Sequence, residues 1–254
     1  MTHDSPSKYP NPDRRQRPRS HLIVDASVDP ATRAAIGARL GSFDEPSTGE
    51  TLVIDRDTFD SSRLLAELGV GAWSELVLRS LARETNLLLP STRFLVIGTG
   101  PLSERLVSAL SRIGGYVELT SDDPVALVLA ARRSPIRARL YDGAPAVPAD
   151  VDVAIVAGVD HPPLTPELLQ AADHPLVVVD ATLPNAGLWS EQPTVATVRN
   201  LRQLSGPRPV FVVPAPTADQ LDTATAESRA DFAVLLASLG APAAEATLAT
   251  RLLR

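Results

Sequence analysis

The chain has 254 residues, of which 44% are hydrophobic and 21% charged, and a formal net charge of −6. This is the composition of an ordinary globular protein of one or two domains, long enough to bury a core without staples. The absence of cysteine excludes disulfides, thiolate metal sites and a cysteine nucleophile and fits a reducing cytoplasm; the acidic balance gives no global reason to bind nucleic acid, and no apolar run approaches the roughly 18 residues of a membrane span.

Residues 1–20 set Pro6, Pro10, Pro12 and Pro18 among Lys8, Arg14, Arg15, Arg17 and Arg19. Without apolar periodicity they read as a disordered basic leader, and they lack the apolar stretch of a secretory signal. Residues 21–60 read as a small βαβ-like extension. A strand is expected over Leu22–Ala26 and a helix from Pro30 to about Leu40, with proline at its first position. A loop with Gly41, Pro46 and Gly49 then leads to a strand over Thr51–Asp55. The remainder, 61–254, reads as one larger domain. Asp60, Ser61 and Ser62 are expected to cap a helical region in which Leu64, Leu65, Leu68, Trp73, Leu76, Val77, Leu81 and Leu88 keep helical spacing. Gly69 and Gly71 predict a break in it, and Pro90 its end.

The most informative stretch comes next: Phe94-Leu-Val-Ile-Gly98-Thr-Gly100-Pro-Leu-Ser103. An apolar strand, a Gly-x-Gly turn and an amphipathic helix in direct succession are how a βα unit that cradles a dinucleotide diphosphate is written. One glycine permits the tight turn, the other lets the backbone approach a phosphate, and the helix start supplies N–H groups and a positive dipole end. Leu102, Leu106, Ala109, Leu110 and Ile113 form one face of that helix, closed by Gly114-Gly115. A strand over Tyr116–Thr120 leads into Ser121-Asp122-Asp123-Pro124. Further strands are expected at about 137–141 and over Val153–Val156, Leu176–Val179 and Val210–Val213, with helices over Leu164–Ala172 and Thr217–Leu239. Apolar strands alternating with helices predict an α/β fold with a doubly wound, mostly parallel, Rossmann-like sheet.

The runs Gly71–Leu89, Phe94–Gly100, Gly114–Pro124 and Ala154-Ile-Val-Ala-Gly158 together resemble the NAD-binding domain of S-adenosylhomocysteine hydrolase. The resemblance spans roughly residues 70–190. It implies NAD or NADP lying across Gly98, Thr99, Gly100, Pro101, Leu102 and Ser103. Thr120, Ser121 and Asp122 would then sit at the adenosine ribose, and Ala157 and Gly158 on the nicotinamide side. The departures are equally informative. The third glycine of the fingerprint falls on Ser103 and the ribose-binding glutamate on Ser121, with Asp122 adjacent. The family's lysine and Asp-Asn pair have no counterpart in Asp57–Leu68, its Asn-x-Gly-His turn becomes Asp180-Ala-Thr-Leu-Pro-Asn185, and most of its substrate domain is missing. Hydrolase activity is therefore not expected. A serine at the ribose with Arg132 and Arg133 on the following helix would suit NADP, although the two arginines also read as a solvated helix face, and Asp122 and Asp123 as its cap.

Few residues offer catalytic chemistry. His161 follows the Gly158 turn at the edge where ligands collect, so it is the acid–base candidate, oriented by Asp180 or Asp160; the alternative is a plain loop before a helix. The four histidines show no metal-ligand spacing, and no metal is expected. Two function classes stay open. One is a small NAD(P)-dependent oxidoreductase-like protein with a small-molecule ligand. The other is a catalytically inactive binding or scaffold protein of a biosynthetic or regulatory complex. A homodimer could be sealed by the helix at 73–88 and by Phe232–Leu239, both of which also fit a core.

Overall fold

The structure is a computed structural model and describes residues 21–40, 51–158, 164–182 and 192–254. The chain divides into two compact units, with boundaries near Leu65 and Thr225.

The first unit takes the described residues up to Leu65 together with Thr225–Arg254. Strands β1 (His21–Val24) and β2 (Thr51–Ile54) pair in parallel, His21 opposite Thr51 and Val24 opposite Ile54. Helix α1 (Pro30–Leu40) lies between them in the chain, and α2 (Arg56–Asp60) follows. The Asp55 carboxylate accepts from Thr58 N at 2.9 Å while Thr58 Oγ1 accepts from Asp55 N at 3.2 Å. This reciprocal box fixes the start of a helix otherwise too short to hold itself. Asp60 thus ends α2, and Ser62 alone of the three expected caps opens the next helix, accepting from Leu65 N at 3.3 Å. Ile36, Ile54, Phe59, Phe232, Leu235 and Leu248 are buried. Arg229 pairs with Asp29 at 3.0 Å and lies over the Phe59 ring at 5.9 Å.

The second unit, Ala66–Ala224, carries an eight-stranded sheet. Helix α3 (Arg63–Thr85) precedes β3 (Arg93–Ile97), α4 (Pro101–Arg112), β4 (Tyr116–Ser121), α5 (Pro124–Arg133) and β5 (Arg137–Leu140). Then come β6 (Val153–Val156), β7 (Leu176–Asp180), the hairpin β8 (Thr194–Val198) and β9 (Leu201–Leu204), β10 (Val210–Val213) and the start of α6 (Ala218–Leu239), whose remainder, with α7 (Ala241–Leu252), belongs to the first unit. The spatial order is β5-β4-β3-β6-β7-β10-β9-β8, parallel from β5 to β10 and antiparallel beyond. Counted from β3, the six parallel strands stand in the order 3-2-1-4-5-6. The fold is Rossmann-like.

Strand alternation divides the core between two faces. Phe94, Val96, Leu119, Ile155 and Val179 pack with Trp73, Val77 and Leu81 of α3, Leu106 and Leu110 of α4 and Leu127 of α5. Leu95, Ile97, Val156, Val178 and Val212 face the other way, onto Val147, Val151, Leu164 and Leu169. On that second face the expected helix over Leu164–Ala172 is a single 3-10 turn, Pro166–Leu168. Val147 N donates to Leu168 O at 2.9 Å and Gln170 N to Val147 O at 3.0 Å, so backbone pairing with the neighbouring segment replaces a helical ladder.

The predicted break in α3 is absent. The helix runs unbroken past Gly69 and Gly71, where an added Cβ would meet nothing. The glycines cost about 1 kcal/mol each in a helix, and the burial of Trp73, Val77 and Leu81 offsets that. Trp73 and Phe232, from the two segments expected as a dimer seam, are each 2% exposed. Among the described residues, no helix is long and apolar enough to cross a membrane.

Candidate functional site

The strand order reverses between β3 and β6, and in sheets of this kind ligands settle in the crevice beyond the carboxyl ends of the strands at that point. Gly98 follows β3 directly with φ +92° and donates its N–H to Thr120 O at 2.8 Å. A Cβ on Gly98 would lie 2.4 Å from Gly158 Cα, and a Cβ on Gly158 would lie 2.6 Å from Gly98 Cα. The two backbones touch, and only glycine fits on either side. Ala157 N and Gly158 N both reach Ile97 O, at 3.0 and 3.2 Å.

Two residues on, Gly100 has φ +128° and is the N-cap of α4, with no side chain capping the helix. A Cβ there would meet nothing within 4 Å, so the space above the turn is open. Pro101 at the first helical position has no N–H to satisfy. The N–H groups of Leu102 and Ser103 belong to the first turn, which lacks intrahelical acceptors, and Glu104 N closes it onto Gly100 O at 3.0 Å. Leu102 packs its side chain on the core. Ser103 is fully buried, its Oγ without a hydrogen-bond partner.

The neighbouring β4–α5 turn is built from side chains. Asp123 caps α5, accepting from Val125 N at 2.8 Å and Ala126 N at 3.0 Å. Ser121 Oγ accepts from Asp123 N at 3.1 Å, and Thr120 Oγ1 donates to Arg139 O at 3.0 Å. The hydroxyls of Thr120 and Ser121 are thus engaged inside the protein, and Asp122 is the exposed carboxylate at the end of β4. Tyr141, held by its N–H on Ser121 O at 3.1 Å, has a buried hydroxyl without a partner. Burial and then the Asp122 carboxylate push this phenol above its ordinary range. Sequence reasoning passed over Tyr141, although an aromatic residue closing the third parallel strand was a usable signal. Arg133 pairs with Glu104 at 2.5 Å, and Arg132 is exposed in the same last turn of α5.

Asp180 ends β7 beside Val156 and is buried. Its Oδ1 accepts from Thr182 N at 3.0 Å and Thr182 Oγ1 at 2.5 Å, while Trp73 Nε1 donates to Ala181 O at 2.7 Å. The structure therefore brings Gly98–Ser103, Thr120–Asp122, Ala157–Gly158 and Asp180 to the carboxyl ends of β3, β4, β6 and β7. His161, with Asp160, lies outside the described residues. Among the described residues, no group of three or more His, Asp or Glu side chains is placed to hold a metal ion.

No protein-family model and no curated protein matches the chain. Solved structures do. A dipicolinate synthase chain from Bacillus halodurans is similar at a TM-score of 0.51 and 14% identity, over 85% of this chain and 66% of that one. The corresponding dipicolinate synthase chain from Bacillus subtilis follows at 0.43 and 12%, over 91% and 63%. A transhydrogenase from Sinorhizobium meliloti gives 0.45 and 17%, over 90% and 67%. The chain spans less than two thirds of the dipicolinate synthase chains it matches. The likeness establishes the Rossmann-like fold. The resemblance to S-adenosylhomocysteine hydrolase has this support at the level of the fold, and not of the family.

Proposed function

We propose that residues 66–224 bind an NAD-type dinucleotide, with its diphosphate over the β3–α4 turn. The observation that carries this reading is the start of α4: a glycine N-cap at positive φ, no side-chain cap and open space above it. Helix N–H groups and the dipole are left for an anion there, whereas Asp123 occupies the same position on α5. The Gly98–Gly158 contact closes the floor of the crevice. Asp122 takes the ribose hydroxyls; its negative charge would repel a 2′-phosphate, and Arg133 is already paired with Glu104. NAD is therefore favoured over NADP. A distant relationship to the hydrolase's cofactor domain, without hydrolase activity, fits the Gly-x-Gly turn and the changed ribose residues.

Turnover is a second question. His161 acting with Asp180 would make the protein an oxidoreductase. The engagement of Asp180 with both groups of Thr182 favours binding without catalysis, in a biosynthetic or regulatory complex. Calorimetric titration of the full chain with NAD, NADH, NADP, NADPH and adenosine tests the binding. Heats from NAD or NADH that vanish in Gly100→Val, with the circular dichroism spectrum unchanged, are the expected result. Silence from every nucleotide on folded wild-type protein would overturn the reading.

A further inference from the structure

Strands β3, β4 and β5 end level with one another. Ile97 stands opposite Thr120, and Thr120 opposite Arg139. Two residues further on, Thr99, Asp122 and Tyr141 therefore share one row beyond the carboxyl ends. Neighbouring strands lie about 5 Å apart. With the β3–α4 turn as the diphosphate site and Asp122 as the ribose ligand, the reading on which this inference rests, a nucleotide half laid outward crosses the row in single steps. Its diphosphate lies over β3, its ribose over β4 and its base over β5.

Tyr141 closes that row. Its N–H donates to Ser121 O at 3.1 Å, which fixes its backbone beside Asp122. The residue is half-buried, yet its Oη is closed off from solvent and has no hydrogen-bond partner. The neighbouring polar side chains are engaged: Thr120 Oγ1 donates to Arg139 O, Ser121 Oγ accepts from Asp123 N, and Asp123 caps α5. Burial and then the Asp122 charge hold the phenol above its ordinary range, so at neutral pH it keeps its proton and can donate. A buried hydroxyl without a partner costs the folded chain stability. Phenylalanine would fill the same space without that cost, so packing alone does not account for a tyrosine here.

We propose that Tyr141 recognises the adenine base of the bound nucleotide, its phenol O–H donating to a ring nitrogen. The hydroxyl lacks an acceptor, and the unprotonated ring nitrogens of adenine are acceptors. A side-chain rotation of the kind common on binding turns the hydroxyl to the base. Tyr141 thereby selects the base, while Asp122 selects the sugar and the α4 start holds the diphosphate.

Tyr141→Phe tests this with two readouts that move in opposite directions. The full chain is titrated calorimetrically with NAD and with ADP, which carries the adenosine diphosphate half alone. Both ligands are expected to bind about five- to tenfold more weakly to the variant, the worth of one hydrogen bond. The melting temperature of the free variant is expected to stay level or rise, because the orphaned hydroxyl is gone. A hydroxyl with a structural role would do the reverse, and a variant that melts lower overturns the proposal. Unchanged affinity for both ligands also overturns it, while leaving the diphosphate site standing. So does a loss for NAD without a loss for ADP, which would set the nicotinamide half over β5. Silence of the folded wild type towards both ligands would remove the nucleotide site itself, and the role of Tyr141 with it.

Discussion

The β3–α4 and β4–α5 turns stand side by side at the same edge of the sheet, and each feeds a parallel strand into a helix that starts with proline. They differ in what satisfies the helix start. At α5 the protein does so itself: Asp123 takes two first-turn N–H groups, and Ser121 takes the N–H of Asp123. At α4 glycine supplies the bend and no side chain takes the N–H groups. A capped helix start is finished; an uncapped one beneath open space is a place for an anion. The Gly-x-Gly spelling matters here for the side chains it leaves out as much as for the φ values it allows.

The most damaging way to probe this contrast is Gly98→Ala. Its Cβ would sit 2.4 Å from Gly158 Cα at a φ of +92°, so β3 and β6 must part where their backbones touch. Overpacking of about 1–3 kcal/mol and a left-handed cost of about 1–2 kcal/mol combine to roughly 3 kcal/mol. A urea unfolding curve should show that loss as a lower midpoint at constant slope. A Cβ at Gly100 meets no neighbour, so Gly100→Val carries mainly the strain of a conformation at φ +128° and ψ 178° that glycine alone adopts readily, about 1–3 kcal/mol. It should stay folded and lose nucleotide binding. If Gly100→Val binds as well as wild type, the diphosphate is not on this turn.

How much of this could be read in the sequence depends on how local the cause is. The glycine turn and the continuous apolar runs Phe94–Ile97, Val153–Val156 and Leu176–Val179 are set by neighbouring residues, and runs buried on both faces belong in a parallel sheet. The role of Asp123 as a cap was likewise legible from Asp-Pro ahead of a helix. The unbroken α3 was not, because burial of Trp73, Val77 and Leu81 under the sheet outweighs the local cost of two glycines. The β8–β9 hairpin escaped for the opposite reason: every β8 side chain is exposed, so no buried periodicity marks it. Tyr141 offered a local signal as the aromatic residue closing a parallel strand, but its place beside Ser121 depends on β5 pairing with β4, which no neighbouring residue sets.

Asp123→Ala tests the other half of the comparison. Removing the cap exposes two first-turn N–H groups of α5 and should cost about 1 kcal/mol, with nucleotide binding retained because the diphosphate turn is untouched. If binding falls as far as in Gly100→Val, the two turns are not separate devices.

The smallest expected effect is at Ser103, where the fingerprint has glycine. Its hydroxyl is buried without a partner, and such a group costs about 1–3 kcal/mol of desolvation. Ser103→Ala removes that cost and keeps the buried Cβ, so it should stabilise the protein by about 1 kcal/mol. Ser103→Gly restores the fingerprint residue and removes the same hydroxyl, but it adds a helix-interior glycine penalty of about 1 kcal/mol relative to alanine. The two variants should therefore differ by about that amount in unfolding free energy, alanine above glycine. Equal stability of alanine and wild type would mean that the hydroxyl is satisfied by a buried water, which the alanine variant would release.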